Sequence, residues 1–414
     1  MARCVAEEVA MIRQQSHARD GVYLDNAATT RVRPEVVAAM VDALQERFAN
    51  PASVHEAGLE AERLVKTARE TIAAALDVPA DDILFTSGGT EANNLALRGV
   101  MAAYRRQGSH LVTTAIEHSS VLATARALAQ RDCELTVVPV DASGRVDPEA
   151  VADAVRPDTV LVSVMLVNNE IGTIQPIVEI VQAVKRRRPE VLVHVDAVQA
   201  FGKIPVRPRA WGVDLVTVSA HKIHGPKGTG ALYVREGVRL EPQLTGGEQE
   251  RGLRPGTHNV PGIVGFATAA RLMLDEQPGL SERMQALKLR LVDRVRAEVP
   301  GVVVNGPDPA QGAPHIVNLS VPGARGEVLV HALAQRGVYV STGSACTSRR
   351  TAPSHVLQAL HLPAERLESA LRISLSRETT EEDVERFVAA LREAAEEVRL
   401  VAAARPSRRR RERA

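Results

Sequence analysis

A chain of 414 residues, 45% hydrophobic and 24% charged, can build two or three packing units around a large core. Its formal net charge of +1 gives the body no bias toward nucleic acid or a membrane surface, and no apolar run approaches bilayer-spanning length. The three cysteines, Cys4, Cys133 and Cys346, are odd in number and far apart. That argues against a disulfide framework or a zinc site of paired cysteines, and points to a reducing, cytoplasmic compartment.

Residues 1–21 place acidic residues where a signal peptide needs a clean apolar stretch, so they read as a short extension. From 22 to 261, helical periodicity alternates with short apolar runs. "EVVAAMVDALQERF" and "AGLEAERLVKTARETIAAAL" are helical, while "ILFT", "HLVTTAI", "LTVVPV", "TVLVSVMLV", "VLVHVDAV", "DLVTVSA" and "GALYV" read as strands. Several are apolar on both faces, as strands of a covered parallel sheet must be. The alternation predicts an α/β large domain over 22–261, whose first residues pack with a second domain. Over 262–403 the pattern becomes that of a smaller α+β unit. It has separate helices at 263–274 and 281–299, short strands such as "HIVNLSV" and "ALRISLS", and a long closing helix. Residues 404–414 form an arginine-rich tail; a solvated end is the plain reading, and weak contact with a polyanion the alternative.

Ligands of an open α/β sheet sit outside the carboxyl ends of its strands, so the polar residues just past each strand matter most. In "FTSGGTEANNLAL" a strand ends, Ser87-Gly88-Gly89-Thr90 turns and a helix begins. This arrangement suits a phosphate, although a plain capped turn accounts for it equally well. Asp196 ends the strand of "VHVDAVQA", with Gln199 three residues on. It could cap the next helix, or hold a proton on a cofactor ring nitrogen. Lys222 in "VSAHKIHGPKGTG" ends another strand before a glycine-rich turn; a surface lysine is the default, a Schiff-base lysine the sharper reading. Together, phosphate loop, strand-end aspartate and strand-end lysine fit pyridoxal 5′-phosphate. Near the C-terminus, "VYVSTGSACTSRRTAP" puts Cys346 among small and hydroxylated residues, a loop by composition spanning about 341–353.

The ordered set "YLDNAATT", "NPASVHEAG", "SGGTEANNLAL", "EHSSV", "VNNEIGTIQP", "HVDAVQA", "SAHKIHGPKGTGALYV", "GGEQERGLRPGTHN" and "GSACTS" resembles the NifS/IscS-type cysteine desulfurases. These are class V members of the fold-type I pyridoxal-phosphate enzymes. The resemblance covers about residues 22–400, in the subgroup with a longer cysteine loop, Thr342 standing where serine is usual. It implies a large domain with a mostly parallel mixed sheet covered by helices, plus a smaller α+β domain.

The resemblance also implies roles. Lys222 would carry the cofactor, Asp196 pair with its ring nitrogen, Gln199 meet its phenolic oxygen, and His118 stack over the ring and move protons. Gly89, Thr90, Ser219 and His221 would hold the phosphate, with Thr257 reaching it from the neighbouring subunit of a homodimer. Asn169 would touch cofactor and substrate; Arg372 would bind the substrate carboxylate, a surface ion pair being its plain alternative. Asn50 and His55 would line the pocket. Cys346 would take sulfur from L-cysteine as a persulfide, release L-alanine and pass the sulfur to an acceptor protein. The acceptor pathway, among them iron–sulfur assembly and tRNA thiolation, stays open. A mobile cysteine loop has no purpose in a transaminase; a selenocysteine lyase or other class V aminotransferase is the alternative enzyme, a pyridoxal-binding regulator the alternative outside catalysis.

Overall fold

The computed structural model describes residues 21–343 and 354–404. The expectations for the N-terminal extension, the segment holding Cys346, Arg349 and Arg350, and the arginine tail lie outside the described residues.

All seven apolar runs expected as strands join one sheet. They are β2 (Ile83–Thr86), β3 (His110–Thr114), β4 (Glu134–Val138), β5 (Thr159–Met165), β6 (Leu192–Asp196), β7 (Leu215–Ser219) and β8 (Gly230–Val234), following a short β1 (Val22–Tyr23). The order across the sheet is β2-β8-β7-β6-β5-β3-β4, with β8 antiparallel to both neighbours and the other pairings parallel. Every residue of β5, β6 and β7 is buried, because helices cover both faces of such a sheet. Thr114, Met165, Asp196 and Ser219 therefore end on one edge, joined by Thr86 through its pairing with Gly230.

The smaller unit contains a three-stranded antiparallel sheet of β9 (Val303–Asn305), β10 (Ile316–Ser320) and β12 (Ala370–Ser374), in the order β12-β10-β9. Between the last two, β11 (Val338–Tyr339) pairs in parallel with β1. The chain start thus belongs to the second hydrophobic core, where Val22 and Leu24 pack with Leu371, Ile373 and Phe387.

One expectation fails. The two helices at 263–274 and 281–299 are a single 39-residue helix, Val260–Glu298, that runs through Pro278. A proline inside a helix forfeits a backbone hydrogen bond. Here packing on both sides outweighs that loss, with Phe266, Ala270, Met273 and Met284 in the first core and Leu287, Leu291 and Val295 in the second. The helix is the shared spine of both units. Among the described residues no helix is long and apolar enough to cross a membrane.

Candidate active site

A cleft of about 260 Å³ opens at the carboxyl edge of the large sheet. Lys222 lies on its wall, just past β7. Its Nζ donates to the carbonyls of Ala27 (2.6 Å) and Ala28 (2.7 Å), so the strap following β1 grips the lysine from above the sheet edge. Thr30 binds that strap to the Lys222 turn, donating through its amide and hydroxyl to the His221 carbonyl at 3.0 and 2.9 Å. His224 adopts a left-handed φ of 65°, its amide donating to Thr30 Oγ1 at 2.7 Å.

Asp196 is 5% exposed at the end of β6. Its Oδ1 accepts from the Val198 amide at 3.0 Å and its Oδ2 from Asn93 Nδ2 at 2.8 Å. The second proton of that amide nitrogen serves Ser120 Oγ at 2.8 Å, and Ser120 meets His118 Nδ1 at 2.7 Å. The Ser120 backbone N–H, which can only donate, also reaches His118 Nδ1 at 3.2 Å. Nδ1 is therefore the lone-pair nitrogen, and neutral His118 carries its proton on Nε2. Burial first, then the charge of Lys222, hold its pKa below the usual 6.5, against the pull of Asp196.

The phosphate-loop reading rests on local backbone geometry. Gly88 has φ 146°, a conformation that side chains rarely adopt, and it starts the helix Gly89–Ala103 without a side-chain cap. A Cβ on Gly230 would lie 2.7 Å from the Gly88 Cα, so glycine at 230 lets β8 pass close against the turn, while at Gly88 it is the backbone conformation and not space that favours glycine. Gly89 and Thr90 line the cleft with Ser219 and His221. Burial, then the charge of Lys222, lower the pKa of His221 to about 3, so it is a neutral contributor. Ser219 Oγ and Gln199 Oε1 are buried without a protein partner, while Gln199 Nε2 donates to the Ala27 carbonyl at 2.9 Å.

Arg372, on β12, and Asn169, past β5, close the far side. The plain alternative of a surface ion pair does not describe Arg372, whose side chain is 1% exposed; nor is it without a nearby acid, since Nη2 donates to Asp25 Oδ1 at 2.6 Å. Nη1 donates to the Asn169 carbonyl at 3.0 Å, and Nε is buried without a partner. Three residues do not reach the cleft. Thr257 is exposed before the long helix; exposed Asn50 accepts the Ala52 amide at 3.0 Å, and His55 caps the helix Glu56–Leu76 by accepting the Gly58 amide at 3.2 Å.

Sequence reasoning missed Asn93, Ser120, Asp25 and the strap carbonyls. Asn93 had a signal, standing four residues after Gly89 and so on the same helix face. It also missed Lys203, which is fully buried behind the cleft; burial first, then the charge of Lys222, push its pKa down to about 7. Its Nζ donates to the Gln199 carbonyl at 3.5 Å.

Residues 22–387 match the model of the aminotransferase class-V family. The chain belongs to that family. It is similar to the cysteine desulfurase IscS of Methanosarcina thermophila, 43% identical over 378 residues, which are 91% of this chain and 93% of the relative. The IscS of Dictyoglomus turgidum is 43% identical over 380 residues, 92% and 96% of the two chains. Among solved structures, a NifS-like protein aligns with a TM-score of 0.85 at 40% identity, covering 90% of this chain and 98% of its own.

Proposed function

We propose that this chain is a cysteine desulfurase that uses pyridoxal 5′-phosphate to take sulfur from L-cysteine, leaving L-alanine and a persulfide on Cys346. The observation that carries this reading is a single cleft lined by a strand-end lysine, a buried strand-end carboxylate and a buried arginine. The residues fit the cofactor. Asp196 offers a carboxylate in a dry place for a protonated ring nitrogen. The orphaned Ser219 Oγ and Gln199 Oε1 are polar atoms awaiting a phosphate and a ring hydroxyl, and Gly89 and Thr90 begin a helix whose amides favour an anion. Bound there, the group would supply an electron sink for the carbanion at the substrate Cα.

The chain's own residues do the rest. Lys222 would hold the cofactor covalently and, once displaced by the substrate amine, take the Cα proton, kept in line by the Ala27 and Ala28 carbonyls. Asn93 would fix Asp196 and, through Ser120, His118, leaving the Nε2 proton of His118 for the substrate side. Arg372 and Asn169 would anchor the substrate carboxylate. The Cys346 thiolate would attack the substrate sulfur: an S–S bond forms, the Cβ–S bond breaks, and its electron pair goes to Cβ, which gains a proton and leaves as the methyl of alanine. Cys346 is three residues beyond Gly343, ~11 Å of backbone at full extension. Gly343 abuts Glu170, the neighbour of Asn169.

The working unit in this reading is a cytoplasmic homodimer, with Thr257 serving the partner's phosphate site. Its exposure and the exposed Val37, Val41, Leu44 and Phe48 support that. Domains over 22–261 and 262–403 share the long helix. An acceptor protein would collect the sulfur.

The test is persulfide formation and alanine release from L-cysteine with a reductant, for wild type and Cys346→Ser. The serine variant is expected to lose sulfur transfer; equal activity would refute the persulfide role. Alanine and selenide from L-selenocysteine alone, or amino transfer to a keto acid, would favour the alternative class V enzymes.

A further inference from the structure

If Arg372 anchors the substrate carboxylate, a reading on which this inference rests, the anchor already has an anion. Asp25 Oδ1 lies 2.6 Å from Arg372 Nη2, and the two side chains are 20% and 1% exposed. The guanidinium is therefore neutralised at one end, held by the Asn169 carbonyl at Nη1, and uncommitted at Nε. Asp25 has little freedom to leave. Its backbone bridges Ser374, the Asn26 amide donates to the Ser374 carbonyl at 3.3 Å, and the Ala27 amide donates to Ser374 Oγ at 2.8 Å.

We propose that Asp25 is a resident counter-anion: it neutralises Arg372 while the site is empty and so limits the affinity with which any α-carboxylate binds. A buried guanidinium without a partner is costly, and an incoming carboxylate would relieve that whole cost. With Asp25 in place the relief is already taken, and a second carboxylate beside the first adds repulsion. The consequence is a ligand-free protein that is stable and an L-alanine product that is held loosely. Asp25 thus limits affinity by acting through Arg372, and the carboxylate edge left to substrate is the one that includes Nε.

Asp25→Asn separates charge from geometry, because an amide oxygen can still accept from Nη2; Asp25→Ser gives the same test with a smaller side chain. The holoenzyme is titrated calorimetrically with L-alanine and with L-alaninamide, which lacks the carboxylate, and its melting is followed with and without L-alanine. Asp25→Asn is expected to bind L-alanine roughly tenfold more tightly, with alaninamide unmoved. It is also expected to melt lower than wild type when ligand-free, the gap closing as L-alanine saturates. L-alanine affinity that is unchanged or weaker, or a gain shared by the amide, would overturn the proposal. Arg372→Lys is the control. If it loses the preference for L-alanine over the amide while Asp25→Asn behaves as wild type, only the counter-anion fails; if it keeps that preference, the carboxylate anchor fails and the inference with it.

Discussion

The carboxyl edge of the large sheet and the strap of residues 24–30 meet at Lys222, and they are held by different means. Asp196 and Ser219 stand on β6 and β7, whose backbones are hydrogen-bonded on both sides and whose residues are all buried. Beyond the two pairs of β1, the strap's backbone pairs, among the described residues, only through an isolated bridge from Asp25 to Ser374. The strap is sewn down by small groups of hydrogen bonds to Ser374 and His221 and by the Asp25–Arg372 ion pair, some contributed by the smaller unit. One wall of the cleft is thus rigid by sheet geometry, and the other depends on how two units pack. Such positions, built on few and non-local contacts, are where local opening concentrates.

Four expectations break or sharpen this contrast. Lys222→Ala, at the junction, has the largest effect. It removes the group proposed to bind the cofactor and move the proton, so turnover should fall by at least ~10²–10⁴, and borohydride should no longer trap pyridoxal phosphate on the protein. Trapping that survives at another lysine would show the junction misassigned.

Next comes a matched pair of buried asparagines. Asn93→Ala strips a hydrogen bond from both Asp196 and Ser120 on the sheet wall. It should cost about 1–3 kcal/mol in holoenzyme stability and weaken cofactor retention by about tenfold or more. Asn26→Ala removes the bonds to the Tyr23 and Ser374 carbonyls on the strap. Its effect should be local: faster amide hydrogen exchange over residues 24–30 with little change at β6 and β7. If Asn26→Ala loosened β6 as much as the strap, the two walls would be one mechanical unit.

The last expectation concerns pH dependence. His224 at the strap contact and His194 in β6 are both pushed down to about 4, in each case chiefly by burial. The unfolded chain binds protons near 6.5, above these folded values, so the stability each contributes is complete above pH 6.5 and is lost as pH falls toward 4. Each can add up to about 1.4 kcal/mol per pH unit in that window. Melting temperature should therefore drop between pH 6.5 and 4, with a shallower slope in His224→Asn, which tolerates the left-handed φ. An unaltered slope would mean that His224 takes up its proton without cost.

Much of this molecule is legible in its residues one segment at a time. The seven strands of the large sheet are apolar runs of local composition. Asp196, Ser219 and Lys222 fall at their ends because a strand stops where the chain turns polar, and the Gly88 turn announces itself by the backbone shape that only glycine tolerates readily. The continuous helix through Pro278 was not legible, because packing with two separate cores, not local propensity, decides whether a proline interrupts it. Asp25 was invisible as a partner for the same reason. Nothing within 300 residues of it in the chain shows that Arg372 will lie 2.6 Å away. By itself the sequence determined the sheet, the strand-end chemistry and the family pattern, all of which follow from local periodicity and turn residues. Only the tertiary structure decided which carbonyls hold Lys222, which acid faces Arg372 and how Asn93 joins Asp196 to His118, because these contacts exist only once distant segments pack.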